Sequence, residues 1–158
     1  MLDPENRDFE KFGISKTDIE KFKVLLLPEN FEEATDKDAL YDATDAVHLS
    51  KKLKGQGVSC ANSLDLNLNP KILDRRGEEF WFGIIYVIDS VVLPILTSLL
   101  AALIIDAHKD KDQKIVYKSK VSKVHLKLKL EKASGSTTIK YDGDPKTLIK
   151  VLEGLQNN

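Results

Sequence analysis

The chain has 158 residues, of which 31% are charged and 42% hydrophobic, and its formal net charge is −1. This length allows one domain, or a small domain with an appendage. A single cysteine excludes an internal disulfide and fits a reducing compartment.

The first half of the chain predicts a β–α–β unit with an acidic surface. Residues 1–22 form a helical segment in which Ser15 and Asp18 make a plausible cap. A short strand is expected at 23–27, a helix at 37–54, and a second strand from 58 that alternates apolar and polar residues up to 69. The connection at 28–36 is acidic and has no glycine, so it would repel the phosphates of a nucleotide.

Residues 80–105 form an apolar run of 26 positions with one charge, at Asp89. As a helix it would extend roughly 39 Å, against a hydrocarbon core of about 30 Å. We interpret the run as a transmembrane helix, because a small domain has few layers in which to cover a helix that is apolar all round. A helix buried in the core, or one hidden at an oligomer interface, is the alternative.

Small and polar residues recur along one side of this predicted helix and suggest a seam for association. Such residues allow close packing of helices in lipid. An ionisable group there should face protein or water, so Asp89 is expected to line a pore, to pair with a partner helix, or to mark a break between two short helices. The candidate seam residues are Gly83, Asp89, Ser90, Pro94, Thr97, Ser98 and Ala101.

The second half carries an excess of positive charge, 12 Lys and Arg against 8 Asp and Glu, whereas residues 1–79 carry 12 against 17. Lysines that follow an apolar helix favour a cytoplasmic C-terminal side and could hold anionic headgroups or a partner; a solvated strand face is the alternative. The basic stretch has one aromatic residue and no arginine, so nucleic acid is not expected as a partner. The candidate basic face comprises Lys109, Lys111, Lys114, Lys118, Lys120, Lys123, Lys127 and Lys129.

After a charged connector, residues 123–131 alternate without a fault, and 133–136 carry a hairpin turn pattern. Asp144 and Pro145 then open a Leu-rich helix. The predicted fold class is therefore α+β. A small mixed sheet, β–α–β followed by β–β–α, is interrupted by one long apolar helix that crosses the membrane. The segments are 1–22, 23–79, 80–107 and 108–158.

No local catalytic arrangement, metal-ligand spacing or phosphate-binding loop is found, so an enzyme is not expected and neither a cofactor nor a metal is predicted. Cys60 has no neighbouring base and is interpreted as a core residue. The three histidines, His48, His108 and His125, are far apart in the sequence.

Residues 85–155 resemble the effector-associated constant components of bacterial conflict systems. The resemblance lies in the order of an apolar stretch from Val91, a charged linker, the strand 124–132, a hairpin return ending at Pro145 and a short Leu-rich helix. It implies a non-enzymatic part in anti-phage defence, as an adaptor or a membrane-acting component.

Two functions remain open from the sequence. The first is a membrane-associated defence component that forms homo-oligomers through the apolar helix and anchors at or perturbs the inner membrane, with at least its C-terminal part cytoplasmic. Its partners would be membrane lipid, further copies of itself and a separately encoded defence protein. The second is a soluble adaptor in the cytoplasm, with the apolar helix buried in its core or in an oligomer interface.

Overall fold

The computed structural model describes residues 8–73, 79–111, 123–132 and 135–156, with the backbone alone at 105–111. Residues 8–10 are helical, and the helices that follow are α1 Lys16–Glu20, α2 Thr44–Gly55, α3 Leu93–Lys111 and α4 Pro145–Gln156. The strands are β1 Val24–Leu27, β2 Tyr41–Ala43, β3 Cys60–Ala61, β4 Lys71–Leu73, β5 Phe80–Val87, β6 Val124–Lys132 and β7 Gly135–Gly143. Short 3-10 turns lie at Lys37–Ala39 and Ser90–Val92.

The main sheet has five strands in the order β3-β1-β5-β6-β7. The β1/β3 and β5/β6 pairs are parallel, whereas β1/β5 and β6/β7 are antiparallel. Strands β2 and β4 form a separate parallel pair. The predicted α+β class and mixed sheet are therefore confirmed.

Two apolar cores lie on opposite faces of the sheet. Helices α2, α3 and α4 cover one face, where Leu49, Leu96 and Leu152 pack against the strands. The residues before and after β1, at 8–22 and 28–40, cover the other face over β1 and β5; we call them the N-terminal layer. Phe9 and Phe31 are buried in it with ring centroids 5.1 Å apart. Strands β1 and β5 consequently have both faces buried.

The predicted single helix at 80–105 is wrong. Its first part is the central strand β5, and its second part belongs to α3. A strand buried on both faces has no polar alternation, so its sequence resembles that of a buried helix. Asp89 marks the boundary, because its carboxylate caps the following turn by accepting the Val91 N–H at 3.1 Å.

The predicted transmembrane helix is wrong as well, and the predicted membrane association and inner-membrane location lose the feature on which they rested. Among the described residues, no helix combines the length and the apolar character that a bilayer crossing requires. Helix α3 buries Leu93, Leu96, Leu100 and Ile104 against the sheet. Its outer side bears small or apolar residues with no charge from Pro94 to Ala102, and this made the run look apolar all round.

Two further local predictions differ from the structure. The alternation of Leu64, Leu66 and Leu68 belongs to a turn rather than a strand: Leu66 and Leu68 are buried and Leu64 is 68% exposed. The helix predicted from residue 37 begins at Thr44, after a short strand. The Ser15–Asp18 capping box and the start of the last helix at Pro145 agree with the sequence prediction.

Candidate functional site

The sheet carries a polar surface where the N-terminal layer ends. In β6, every second residue from Val124 packs under the helices, so the residues between them face the other way. Register pairs His125 with Asp142, Lys127 with Lys140, Lys129 with Thr138 and Glu131 with Ser136. We call these eight residues the polar sheet face.

His125 is held on this face by contacts on three sides. Its Nδ1 lies 2.7 Å from Asp142 Oδ1 and its Nε2 lies 2.6 Å from Glu79 Oε1. The Trp81 ring stacks on the imidazole, with centroids 3.8 Å apart and an interplanar angle of 16°. Strands β5, β6 and β7 and the residue preceding β5 are thereby joined at one point.

The arrangement of this cluster favours a structural role for His125 over proton transfer. A neutral imidazole has one N–H and can donate to one of the two carboxylates, whereas an imidazolium donates to both. Because each ring nitrogen of His125 lies against a carboxylate, neither is open to a substrate proton in this arrangement. Within the described ranges, no group of three or more His, Cys, Asp or Glu residues is arranged to hold a metal ion.

Glu32 connects the N-terminal layer to the polar sheet face. Its carboxylate accepts hydrogen bonds from Lys127 and, at 2.7 Å, from Lys129, which is buried. Although burial opposes ionisation, these lysines hold the pKa of Glu32 below its usual value. Nearby, the Tyr86 hydroxyl donates to Glu131 at 2.7 Å. These contacts fix the edge of the layer above β6 and leave β7 beyond it.

Two half-buried carboxylates and a buried thiol lie elsewhere. Burial raises the pKa of Asp42 to about 6, and the negative charge of Glu29 adds to the increase. The Ser63 hydroxyl, which donates to Asp42 at 2.9 Å, acts in the opposite direction and lowers the pKa. Burial also raises the pKa of Asp45, although it accepts the Trp81 backbone N–H at 2.8 Å. Burial raises the pKa of the Cys60 thiol to about 11, so at neutral pH this group is not the thiolate that a nucleophile requires.

Asp42 should make stability depend on pH. Between its ordinary pKa of 3.8 and the folded value of about 6, the folded state binds more protons than the unfolded state, so stability falls as pH rises through this window. We therefore expect the free energy of unfolding of Asp42→Asn, relative to that of the unmodified chain, to increase by about 2 kcal/mol from pH 4.5 to pH 7.5. Urea unfolding at both pH values measures this difference.

The exposed Asp38→Asn variant controls for the loss of one negative charge. A difference between Asp42→Asn and the unmodified chain that stays constant with pH would show that Asp42 ionises as freely when folded as when unfolded.

A cleft of about 400 Å³ lies on the N-terminal layer. Phe12 and Phe22 form part of its wall, and Lys21, Lys37, Asp18 and Asp65 supply its charges. Two ammonium groups and two carboxylates balance, with Lys21 3.8 Å from Asp18 and Asp65 2.6 Å from Lys54. The cleft therefore favours no class of ligand by charge.

The residues of the predicted seam do not share one helix. Gly83 lies in β5, Asp89 and Ser90 lie at the boundary between strand and helix, and the others lie in α3. Thr97 is buried, and its hydroxyl donates to the Leu93 carbonyl at 2.9 Å. Pro94 and Ser98 are exposed on the outer side of α3, with Ala101 half-buried beside them.

The predicted basic face falls largely outside the structure. Lys114, Lys118 and Lys120 lie outside the described residues, and the side chains of Lys109 and Lys111 do so too. Lys123 is exposed just before β6, whereas Lys127 and Lys129 are bound to Glu32. Lys127 and Lys129 thus form ion pairs within this chain.

Sequence reasoning missed the cluster around His125, because its partners lie 17 and 46 residues away. Part of it was within reach. The hairpin of β6 and β7 was predicted, with a turn pattern at 133–136 of which 133–134 lie outside the described residues, and its register pairs Lys132 with Gly135 and His125 with Asp142. Contacts with Glu79 and Trp81 depend on β5, which the sequence concealed.

No known protein family, no curated protein and no solved structure matches this chain.

Proposed function

We propose that this chain is a non-enzymatic adaptor that binds an extended segment of another polypeptide alongside β7. One observation carries the proposal. Strand β7 is nine residues long, stands last in the strand order and, in the part of the chain that the structure describes, pairs with β6 alone. In an antiparallel pair the outer strand directs alternate N–H and C=O groups away from its neighbour, and a further strand can bind them.

The two edges of the sheet differ in a way that supports this choice. Strand β3, at the opposite edge, has two residues, whereas β7 would span roughly 30 Å at 3.4 Å per residue. No residue of β7 is buried, and its pattern alternates between exposed and half-buried positions. Addition of a strand to such an edge gains affinity from main-chain hydrogen bonds and selectivity from alternate side chains.

The chemistry of the reactive side chains supports the non-enzymatic part of the proposal. His125 is enclosed by two carboxylates, and the Cys60 thiol is buried with a raised pKa. A lone buried thiol also fits the reducing cytoplasm, where we propose that the protein acts. Of the roles that the resemblance over 85–155 implies, the adaptor is the one we retain as a prediction.

The proposal predicts that a designed peptide will protect β7. The probe is a nine-residue peptide that alternates Thr and Val with Gln at its centre, added at millimolar concentration to ¹⁵N-labelled protein. We expect alternate amides of β7 to exchange quickly in the free protein and to become protected when the peptide binds. Hydrogen exchange followed by NMR, residue by residue, measures both states.

Two N-methylated peptides provide the control. One carries methyl groups on the amides of one edge and the other on the amides of the opposite edge. A single edge faces β7 in an added strand, so one modification should abolish protection and the other should leave it unchanged. Equal effects of both, or shifts confined to side chains, would contradict strand addition.

A further inference from the structure

Within the polar sheet face, Lys140 is a charge for which the described residues supply no ion-pair partner. It lies directly opposite Lys127 across the β6/β7 pair, and like charges at such positions destabilise the pairing. Lys127 is bound to Glu32. Among the described residues no carboxylate lies within ion-pair distance of Lys140, which is exposed in the middle of the edge strand.

The neighbours of Lys140 divide between the two faces of β7. Ile139 and Tyr141 lie on the side of the helices and are half-buried, and Tyr141 packs against the core. Asp142 lies on the same side as Lys140 but is engaged with His125. A strand added to this edge therefore meets the exposed Lys140 ammonium on one face and partly exposed apolar surface on the other.

We infer that the segment recognised by β7 carries a carboxylate opposite Lys140, with apolar residues immediately before and after it. This inference rests on the proposed function and names the chemistry of its partner. The carboxylate forms a cross-strand ion pair with Lys140, and its two neighbours, which point to the opposite face, extend the apolar surface of Ile139 and Tyr141. A basic residue at the central position is repelled.

Lys140 consequently selects among strands. A lysine on an edge strand discourages indiscriminate pairing with other chains. An acid-centred segment removes that penalty, whereas a neutral or basic segment does not, and selection by such a penalty is a common source of specificity.

Three versions of the Thr/Val peptide test the inference, with Glu, Gln or Lys at the centre. We expect the Glu peptide to bind about threefold more tightly than the Gln peptide and the Lys peptide about threefold more weakly. In the Lys140→Glu variant the order should reverse. This variant places an opposite charge beside Lys127, so it is expected to fold. Dissociation constants come from NMR titrations followed at β7.

Lys150→Glu is the matched control, because it makes the same change of charge at an exposed position of α4. It should leave the order of the three peptides unchanged. If all three bind β7 equally, or if Lys140→Glu keeps the original order, the inference is wrong while the proposed function stands. If none binds, the proposed function itself fails.

The free protein supplies one more outcome. Slow exchange of all β7 amides before any peptide is added would mean that the edge is already occupied. If the protein then sediments as a dimer, a second copy of the chain occupies the β7 edge. If it sediments as a monomer, residues of the same chain occupy it. Either result would overturn the inference.

Discussion

Gly83→Val is expected to destabilise the protein by about 3 kcal/mol, and Gly83→Ala by about 1–2 kcal/mol. Gly83 has φ +71, where a side chain is strained and a β-branched one strongly so. A Cβ at this position would also lie 3.1 Å from the Leu27 carbonyl oxygen of the paired strand, and that backbone has little room to move. Urea unfolding followed by the fluorescence of the single tryptophan, Trp81, measures the loss.

Gly154→Ala is the matched control for this substitution. Gly154 lies in α4 without a positive φ, and a Cβ added there would have no neighbouring atom within 4 Å. Alanine at this position should stabilise the protein by about 0.5–1 kcal/mol, because it is the better helix former and restricts the unfolded chain. A neutral Gly83→Ala variant would contradict the register shift between Trp81 and Gly83.

Leu96→Ala is expected to cost about 3 kcal/mol in buffer without detergent, whereas Ile95→Ala should cost less than about 1 kcal/mol. The two residues are adjacent in α3, but Leu96 is fully buried against the sheet and Ile95 is 40% exposed. Truncation of the first therefore leaves a cavity in the core, and truncation of the second removes a side chain already half in water.

This pair tests the assignment of α3 to the core of its own chain. Denaturant unfolding of the two variants, compared with the unmodified protein, gives both values. Equal costs, or a larger cost at Ile95, would mean that the outer side of α3 is the one that is covered.

The elements that the sequence predicted correctly have a polarity pattern of their own. Strand β6 alternates because the helices cover one face and polar partners occupy the other, and α4 opens with Asp144, whose carboxylate accepts the Thr147 N–H at 3.0 Å. The Ser15 capping box is equally local, with its hydroxyl accepting the Asp18 N–H at 3.2 Å. Such features depend on residues a few positions apart.

The elements that the sequence did not predict depend on distant parts of the chain. Strand β5 is flanked by β1 and β6 and covered on both faces, so every position favours an apolar residue and neither period is visible. Leu64, Leu66 and Leu68 show the opposite case, since their alternation arises in a turn in which two of the three leucines are buried. The candidate site could not be assembled without β5, because Trp81 and Glu79, the residue that precedes the strand, complete it.

The burial of β1 and β5 on both faces has a consequence for how the protein comes apart. Leu26 and Ile85 belong to the helix-side core, and Leu25 and Ile84 to the core beneath the N-terminal layer. Removal of either covering would expose β1 and β5 to water, and these two strands would keep the apolar contacts of one face only. Heat and denaturant should thus unfold the protein as one cooperative unit with a single melting transition, in which the N-terminal layer is as necessary as the helices on the other face.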